Sequence, residues 1–356
     1  MAGIDTRLGV MLEERRRKGR FRSLKEYDTS SSSKLVDFVS IISSYERGIK
    51  ALIHWQSSND YLSLVSSPSR RENFISRISS MSSIFGSTGS RLLSGSSPEH
   101  SALESRFSTF FDSPAALLFN SGWDANVSFF ATVPQKSDWV VYDELVHASV
   151  HSGLRASRVD PARKVLFEHN SPDHLAVVLR QIKEVDPDPT VFLALESLYS
   201  MDGDFAPLPM LLDVLDSHVR REKQCVILDE AHSTGVYGEN GRGIAHALGE
   251  TGVEGRVGVR LMTFGKAVGC SGAVLLCSPT IRTFLINFAR PLIFSTALPH
   301  STLISLESAW DILQSAEGEQ VTSTIALLPG QLPSFPSLPP PPPDPIIDPP
   351  SSPSFT

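Results

Sequence analysis

The chain has 356 residues, 41% of them hydrophobic and 20% charged, with a formal net charge of −7. That is material for one large domain with a buried core and a smaller one beside it, at a composition ordinary for a soluble globular protein. The acidic balance excludes a general attraction for phosphate backbones, and no run of about 18 apolar residues exists to span a membrane.

Residues 1–26 read as a helix, with Leu8 and Leu12 on one face and the basic stretch LEERRRKGRFRSL along it. Asp5, Glu13 and Glu14 argue against a transit peptide, which is poor in acids, so a cytoplasmic location is expected, with a peroxisomal one left open. Cys225, Cys270 and Cys277 have neither metal-ligand nor disulfide spacing and fit a reducing compartment. A loop, DTSSSSK, leads to a short strand, LVDFV, and then to residues 39–57, an apolar and basic segment that reads as an insertion.

From about 70 to 310, helix-like and strand-like segments alternate. Strands are predicted at AALLF (115–119), DWVVYD (138–143), KVLFEH (164–169), TVFLALES (190–197), CVILDEA (225–231), VRLMTFG (259–265) and GAVLLCS (272–278). Most are continuous apolar runs, as expected of strands covered on both faces. Between them lie helices such as EHSALESRFSTFF, where Leu103, Phe107, Phe110 and Phe111 recur at helical spacing. This alternation predicts an α/β domain with a mainly parallel sheet, whose ligands sit at the carboxyl ends of the strands. The last 28 residues, 329–356, hold twelve of the 25 prolines and predict a polyproline-type or disordered tail.

The stretch VILDEAHSTG (226–235) has two chemical readings. As the acidic box of a nucleotide-hydrolysing helicase it needs a phosphate loop, G-x-x-x-x-G-K-[ST]. The Gly-Lys pair that follows a strand is Gly265-Lys266, but Arg260 stands where the first glycine belongs and Ala267 where the hydroxyl belongs, so that reading fails. The alternative combines Lys266, an amine desolvated at a strand end, with Asp229 and His232. Pyridoxal chemistry uses this set: a lysine for the aldehyde, an acid for the pyridine nitrogen and a donor for the ring hydroxyl.

GSTGSRLLSGSSPEHSALESRFSTF, LLFNSGWDAN, DELVHAS, ESLYSMDGDFAPL, LDEAHSTGVYGENGRG, TFGKAVGCSGAVLL and FARPLIFSTALP follow one another in order. Together they resemble the α-oxoamine synthases, fold-type I enzymes dependent on pyridoxal 5'-phosphate, over residues 8–310 except 39–57. The resemblance implies a seven-stranded, mainly parallel large domain and roles for individual residues. Lys266 would hold the cofactor and move the α-proton, Asp229 would pair with the pyridine nitrogen, and His232 would meet the phenolic oxygen. His147 would stack on the ring, and the backbone of Gly122 and Trp123 would meet the phosphate. Ser200 and Thr263 are the matching hydroxyls, while Thr296 would reach a phosphate across a homodimer interface near the loop GSTGS. Arg22, with Arg20 two residues away, matches an arginine for the acyl substrate's carboxylate.

The implied reaction is a decarboxylative condensation of an amino acid with an acyl-CoA, with L-alanine and pimeloyl-CoA as the expected pair. Glycine with a shorter acyl-CoA stays open, as does an inactive homologue that still dimerises. The family's C-terminal small domain, with its arginine for the amino-acid carboxylate, finds no match and is expected to be missing. The expected organisation is an arm at 1–64, a cofactor-binding domain at 65–310, the start of a shortened C-terminal region at 311–328, and the tail.

Overall fold

The structure, a computed structural model, describes residues 2–22, 59–316 and 318. The chain divides into two compact units, 1–57 and 58–356. In the first unit, helix α1 (Ala2–Arg17) stops nine residues before the predicted end. Gly19 takes a positive φ of 65°, and the Gly19 and Arg20 N–H groups bond back to the Arg16 and Arg15 carbonyls. That double bond is a Schellman stop, which needs a left-handed residue and so favours glycine. The predicted strand LVDFV, the segment 39–57 and the proline-rich tail lie outside the described residues.

The second unit opens with α2 (Pro68–Ser79) and α3 (Pro98–Phe110), followed by β1 (Ala115–Phe119) and α4 (Gly122–Thr132). It continues through β2 (Trp139–Asp143), α5 (Ala148–Ala156), β3 (Lys164–Phe167), α6 (Pro172–Val185), β4 (Val191–Glu196) and α7 (Leu208–His218). Then come β5 (Gln224–Asp229), β6 (Val259–Thr263), β7 (Ala273–Cys277), α8 (Pro279–Phe288), α9 (Arg290–Phe294) and α10 (His300–Leu313). Ser-Pro pairs start α2, α3, α6 and α8. In α2, α6 and α8 the serine oxygen accepts from the third residue's N–H, while proline supplies a preset φ where no N–H is needed.

The seven predicted strands form one sheet in the order β1-β7-β6-β5-β4-β2-β3. Neighbours from β3 to β6 pair in parallel, whereas β7 runs antiparallel to both β6 and β1. Each strand alternates its apolar side chains between two packed faces, which explains the continuous apolar runs. One face is covered by α4, α5, α8 and α9 through residues such as Phe129, Leu154, Leu285 and Leu292. The other is covered in two parts. Leu103 and Phe107 of α3 and Trp310 of α10 pack under β1, β7 and β6, while Leu179 of α6 and Leu211 of α7 pack under β5, β4 and β2. Phe107 is fully buried, 4.7 Å from the Trp310 ring centroid in an edge-on contact. Among the described residues no helix is long and apolar enough to cross a membrane.

Candidate active site

Four strands end at the carboxyl edge of the sheet in a side chain capable of chemistry: Asp143 on β2, Glu196 on β4, Asp229 on β5 and Thr263 on β6. The hairpin turn between β6 and β7 carries Lys266 at the same edge. Lys266 is half-buried. Burial pulls its pKa down, opposed by the charges of Asp229 and Glu196.

Asp229 is 7% exposed and held by two donors, Asn126 Nδ2 at 2.8 Å and its neighbour Ala231 N at 2.9 Å. Asn126 also reaches Ser149 Oγ at 3.0 Å, and that hydroxyl lies 2.7 Å from His147 Nδ1. A chain of hydrogen bonds therefore runs from His147 to Asp229, and it ties α4 to the start of α5. His147 caps α5 and is exposed, with its ring edge-on to Trp123 at 5.9 Å.

His232 Nδ1 lies 2.7 Å from the Tyr61 hydroxyl, which also contacts Asn59 Oδ1 at 3.0 Å. Burial first, then the charges of Lys266 and His147, push the His232 pKa down to about 4. The ring is thus neutral at pH 7, with Nδ1 engaged by Tyr61. Glu230, next to Asp229, is fully buried and serves the loop instead. It accepts from Ser233 Oγ and from Ile244 N, each at 2.6 Å, with Arg260 at 4.0 Å. Those bonds fasten the loop after β5 and turn Glu230 away from the chemistry.

Gly122 opens α4, whose Ser121 cap accepts from Asp124 N. A Cβ at Gly122 would stand 2.5 Å from Thr263 Cγ2, so only glycine lets the helix start approach β6. Thr263 is 9% exposed, and its hydroxyl has no hydrogen-bond partner. Trp123 is 46% exposed. Thr296 is exposed, bridges Ser90 through the backbone, and offers its carbonyl to Asn120 Nδ2 at 2.8 Å, which places it beside the approach to α4. Ser200 is exposed in the turn after β4. Arg22 is exposed in the other unit, past the end of α1.

The structure therefore brings together Lys266, Asp229, His232 and His147: the charges of Lys266 and His147 act on His232, and that of Asp229 acts on Lys266. Gly122 and Thr263 meet at the adjacent strand end. Tyr61, Asn126, Ser149 and Glu196 are further site neighbours, the last three inside the stretches LLFNSGWDAN, DELVHAS and ESLYSMDGDFAPL. Tyr61 and Asn126 lie 171 and 103 positions from their partners, so no local pattern predicts these contacts. Glu196 had a signal, because β4 and β5 are both apolar runs that end in a carboxylate. Among the described residues no cluster of His, Cys, Asp and Glu is suited to a metal ion.

This donor set fits pyridoxal phosphate: a desolvated amine, a buried and oriented carboxylate, a neutral imidazole, and an unpaired buried hydroxyl beside the N-terminus of α4. The fold is that of the fold-type I pyridoxal-phosphate class. The aminotransferase class I and II family model matches residues 54–326. The 8-amino-7-oxononanoate synthase of Emericella nidulans is 42% identical over 281 residues, covering 76% of this chain and 66% of that protein. The enzyme of the same name from Trichlorobacter lovleyi is 34% identical over 314 residues, covering 88% and 73%. The solved serine palmitoyltransferase of Sphingomonas wittichii matches with a TM-score of 0.66 at 28% identity, covering 77% of this chain and 63% of that one. The chain spans about two thirds of the length of the relatives it matches. It belongs to the aminotransferase class I and II family, in its α-oxoamine synthase branch.

Proposed function

We propose that the chain binds pyridoxal 5'-phosphate and joins an amino acid to an acyl-CoA with loss of carbon dioxide, L-alanine and pimeloyl-CoA being the favoured pair. The observation that carries this reading is the half-buried Lys266 amine set against the buried, doubly hydrogen-bonded Asp229. The relatives named 8-amino-7-oxononanoate synthase support the substrate pair. When bound, the cofactor supplies an electron sink for a carbanion at the amino acid's α-carbon.

The chain's residues would divide the work as follows. Lys266 would hold the cofactor's aldehyde carbon and, once released, take a proton from the α-carbon and return one there. Desolvation suits it to that role, because a buried amine gives up its proton more readily. Asp229, oriented by Asn126 and Ala231, would hold the proton on the pyridine nitrogen. His232 would meet the phenolic oxygen through Nε2, and His147 would cover the ring face. The backbone at Gly122 and Trp123, with Ser200 and Thr263, would bind the phosphate region at the start of α4. In the reaction a bond forms between the α-carbon and the acyl carbonyl carbon, the bond to the coenzyme A sulfur breaks, and the carboxylate leaves as carbon dioxide.

A second copy of the chain would complete the site, with Thr296 reaching its phosphate, and Arg22 would bind the acyl substrate's carboxylate. Phe85, Leu93 and Phe294, which are 80%, 81% and 73% exposed, lie close in sequence to the Ser90–Thr296 bridge and support a covering partner there.

The test is direct. Pyridoxal phosphate added to the full chain should produce a visible absorption band that Lys266→Ala abolishes, and a chain without the band overturns the cofactor assignment. L-alanine, glycine and L-serine are then paired in turn with pimeloyl-, acetyl-, succinyl- and palmitoyl-CoA, and free coenzyme A is read with a thiol reagent. Release with L-alanine and pimeloyl-CoA alone is the expected result. Release with another pair reassigns the substrate, and no release with any pair supports the inactive, dimerising homologue.

A further inference from the structure

In the parallel pair β4 and β5, Glu196 stands directly opposite Asp229. Residues opposite one another project from the same face of a sheet, so two carboxyl groups meet at its carboxyl edge, 5% and 7% exposed. Their support is unequal. Asp229 takes donors from Asn126 and Ala231, while Glu196 takes the His147 backbone N–H. Asp143 of β2 adds a third carboxylate nearby, Tyr199 stands beside Glu196, and Lys266 and then His232 complete the ring of titratable groups. Two anions this close in a poorly solvated site cannot both persist, and the proton goes to the carboxyl with fewer donors.

We propose that Glu196 is a positioning residue for Lys266: at neutral pH it is a protonated carboxyl that leaves Asp229 as the nearest anion facing the amine, and on ionising it adds a second anion that holds Lys266 as an ammonium. Burial first, and then the Asp229 charge, push the Glu196 carboxyl up to about 8. Below that pH, desolvation of Lys266 is opposed chiefly by one anion and the amine is readily freed. Above it, the amine is harder to deprotonate. Reactivity at Lys266 should therefore lag behind the simple titration of a lysine as pH rises through 8. The inference deepens the reading of Lys266 as the reactive amine, and its test needs no cofactor.

The full chain without cofactor is labelled competitively with acetic anhydride across a pH series, and the Lys266 peptide is quantified by mass spectrometry. Wild type and Glu196→Gln should label alike at neutral pH and below. They should part above about 8, with the variant ahead by about tenfold, the equivalent of one pKa unit on the lysine. Equal labelling at every pH overturns the proposal, and so does a variant already ahead at acidic pH, which would mean that Glu196 is ionised throughout. Asp229→Asn supplies a second test, because without the neighbouring anion Glu196 ionises earlier and the lag moves to lower pH; a lag that does not move overturns the proposal. Labelling is read without cofactor, so a failure of the pyridoxal reading would leave this outcome intact.

Discussion

Arg70 offers the sharpest test of how the site is held. It is 7% exposed at the start of α2, and its guanidinium donates to the carbonyls of Leu64 and Val268 (both 3.1 Å) and Gly269 (3.2 Å). The same group reaches Cys270 Sγ at 2.7 Å and Ser305 Oγ at 3.0 Å. Val268, Gly269 and Cys270 follow Lys266 in the hairpin turn, so one side chain pins that turn to α2 and α10. Arg70→Met removes charge-assisted bonds worth about 1.5–3 kcal/mol each. It also removes the cost of burying the cation, so the net loss falls well below their sum, at about 3 kcal/mol. With a urea slope of about 3 kcal/mol/M the unfolding midpoint should drop by about 1 M. Cofactor affinity should fall as well, because the turn carrying Lys266 loses its fastening. Arg70→Lys keeps the charge but not the planar fork, and should recover less than half of either loss. Urea unfolding followed by tryptophan fluorescence and a pyridoxal phosphate titration read the two effects. A midpoint for Arg70→Met within about 0.2 M of wild type, with unchanged cofactor affinity, refutes the clamp.

Phe107→Ala should cost about 3–5 kcal/mol by emptying the space against Trp310, read as a lower midpoint and a flattened near-ultraviolet circular dichroism signal. Asn126→Ala should weaken pyridoxal phosphate binding about tenfold by releasing Asp229 Oδ2, and unchanged binding would count against Asp229 as the ring partner. Gly122→Ala forces the start of α4 away from Thr263, so binding of pyridoxal phosphate should weaken while binding of pyridoxal, which lacks the phosphate, does not. His169 gives a pH signature. Burial alone would lower its pKa, but Asp143 at 2.9 Å and Asp204 at 3.0 Å raise it above 6.5. A raised folded value means the stabilisation is full below 6.5 and is lost as pH rises through that higher value. Urea midpoints should fall with pH across this window in wild type and lose that slope in His169→Gln; a slope that persists in the variant removes His169 as its cause.

The strands were legible because burial on both faces writes itself as an uninterrupted apolar run; six of the seven predicted runs contain their strand, and β5 starts one residue earlier, at Gln224. Their ends were less so. The run TVFLALES loses Thr190 and Ser197 from the strand, although the Thr190 carbonyl still accepts from Trp139 N and the Ser197 N–H still donates to the Asp229 carbonyl. The direction of β7 is also readable in principle. Only residues 264–272 separate β6 from β7, and a parallel crossover needs a dozen or more. The end of α1 is hidden because Gly19 sits inside a basic run, although its position past the last helical turn makes it a stop. Within the site, residues that share a short motif are legible together, as Asp229 and His232 are. Tyr61, Asn126 and Arg70 are not, because their partners are brought to them by tertiary packing.

The reversal at β7 bears on the chemistry. β6 runs parallel to β5, so its last residue, Thr263, lies at the same edge as Asp229. A connection returning antiparallel must turn at that edge, and this turn is where Lys266 sits. A helical crossover would instead have carried the chain back along the sheet and taken a residue three positions past the strand into its first turn. The hairpin keeps the amine over the strand ends but gives it no helix to lean on. Support has to come from outside the turn, and Arg70 with Ser305 supplies it through bonds to Val268, Gly269 and Cys270. Placement of the lysine thus follows from strand direction, and its rigidity from a buried arginine 196 positions earlier in the chain. Loosening the clamp should therefore blur the position of Lys266 while leaving Asp229, fixed separately by Asn126, where it is.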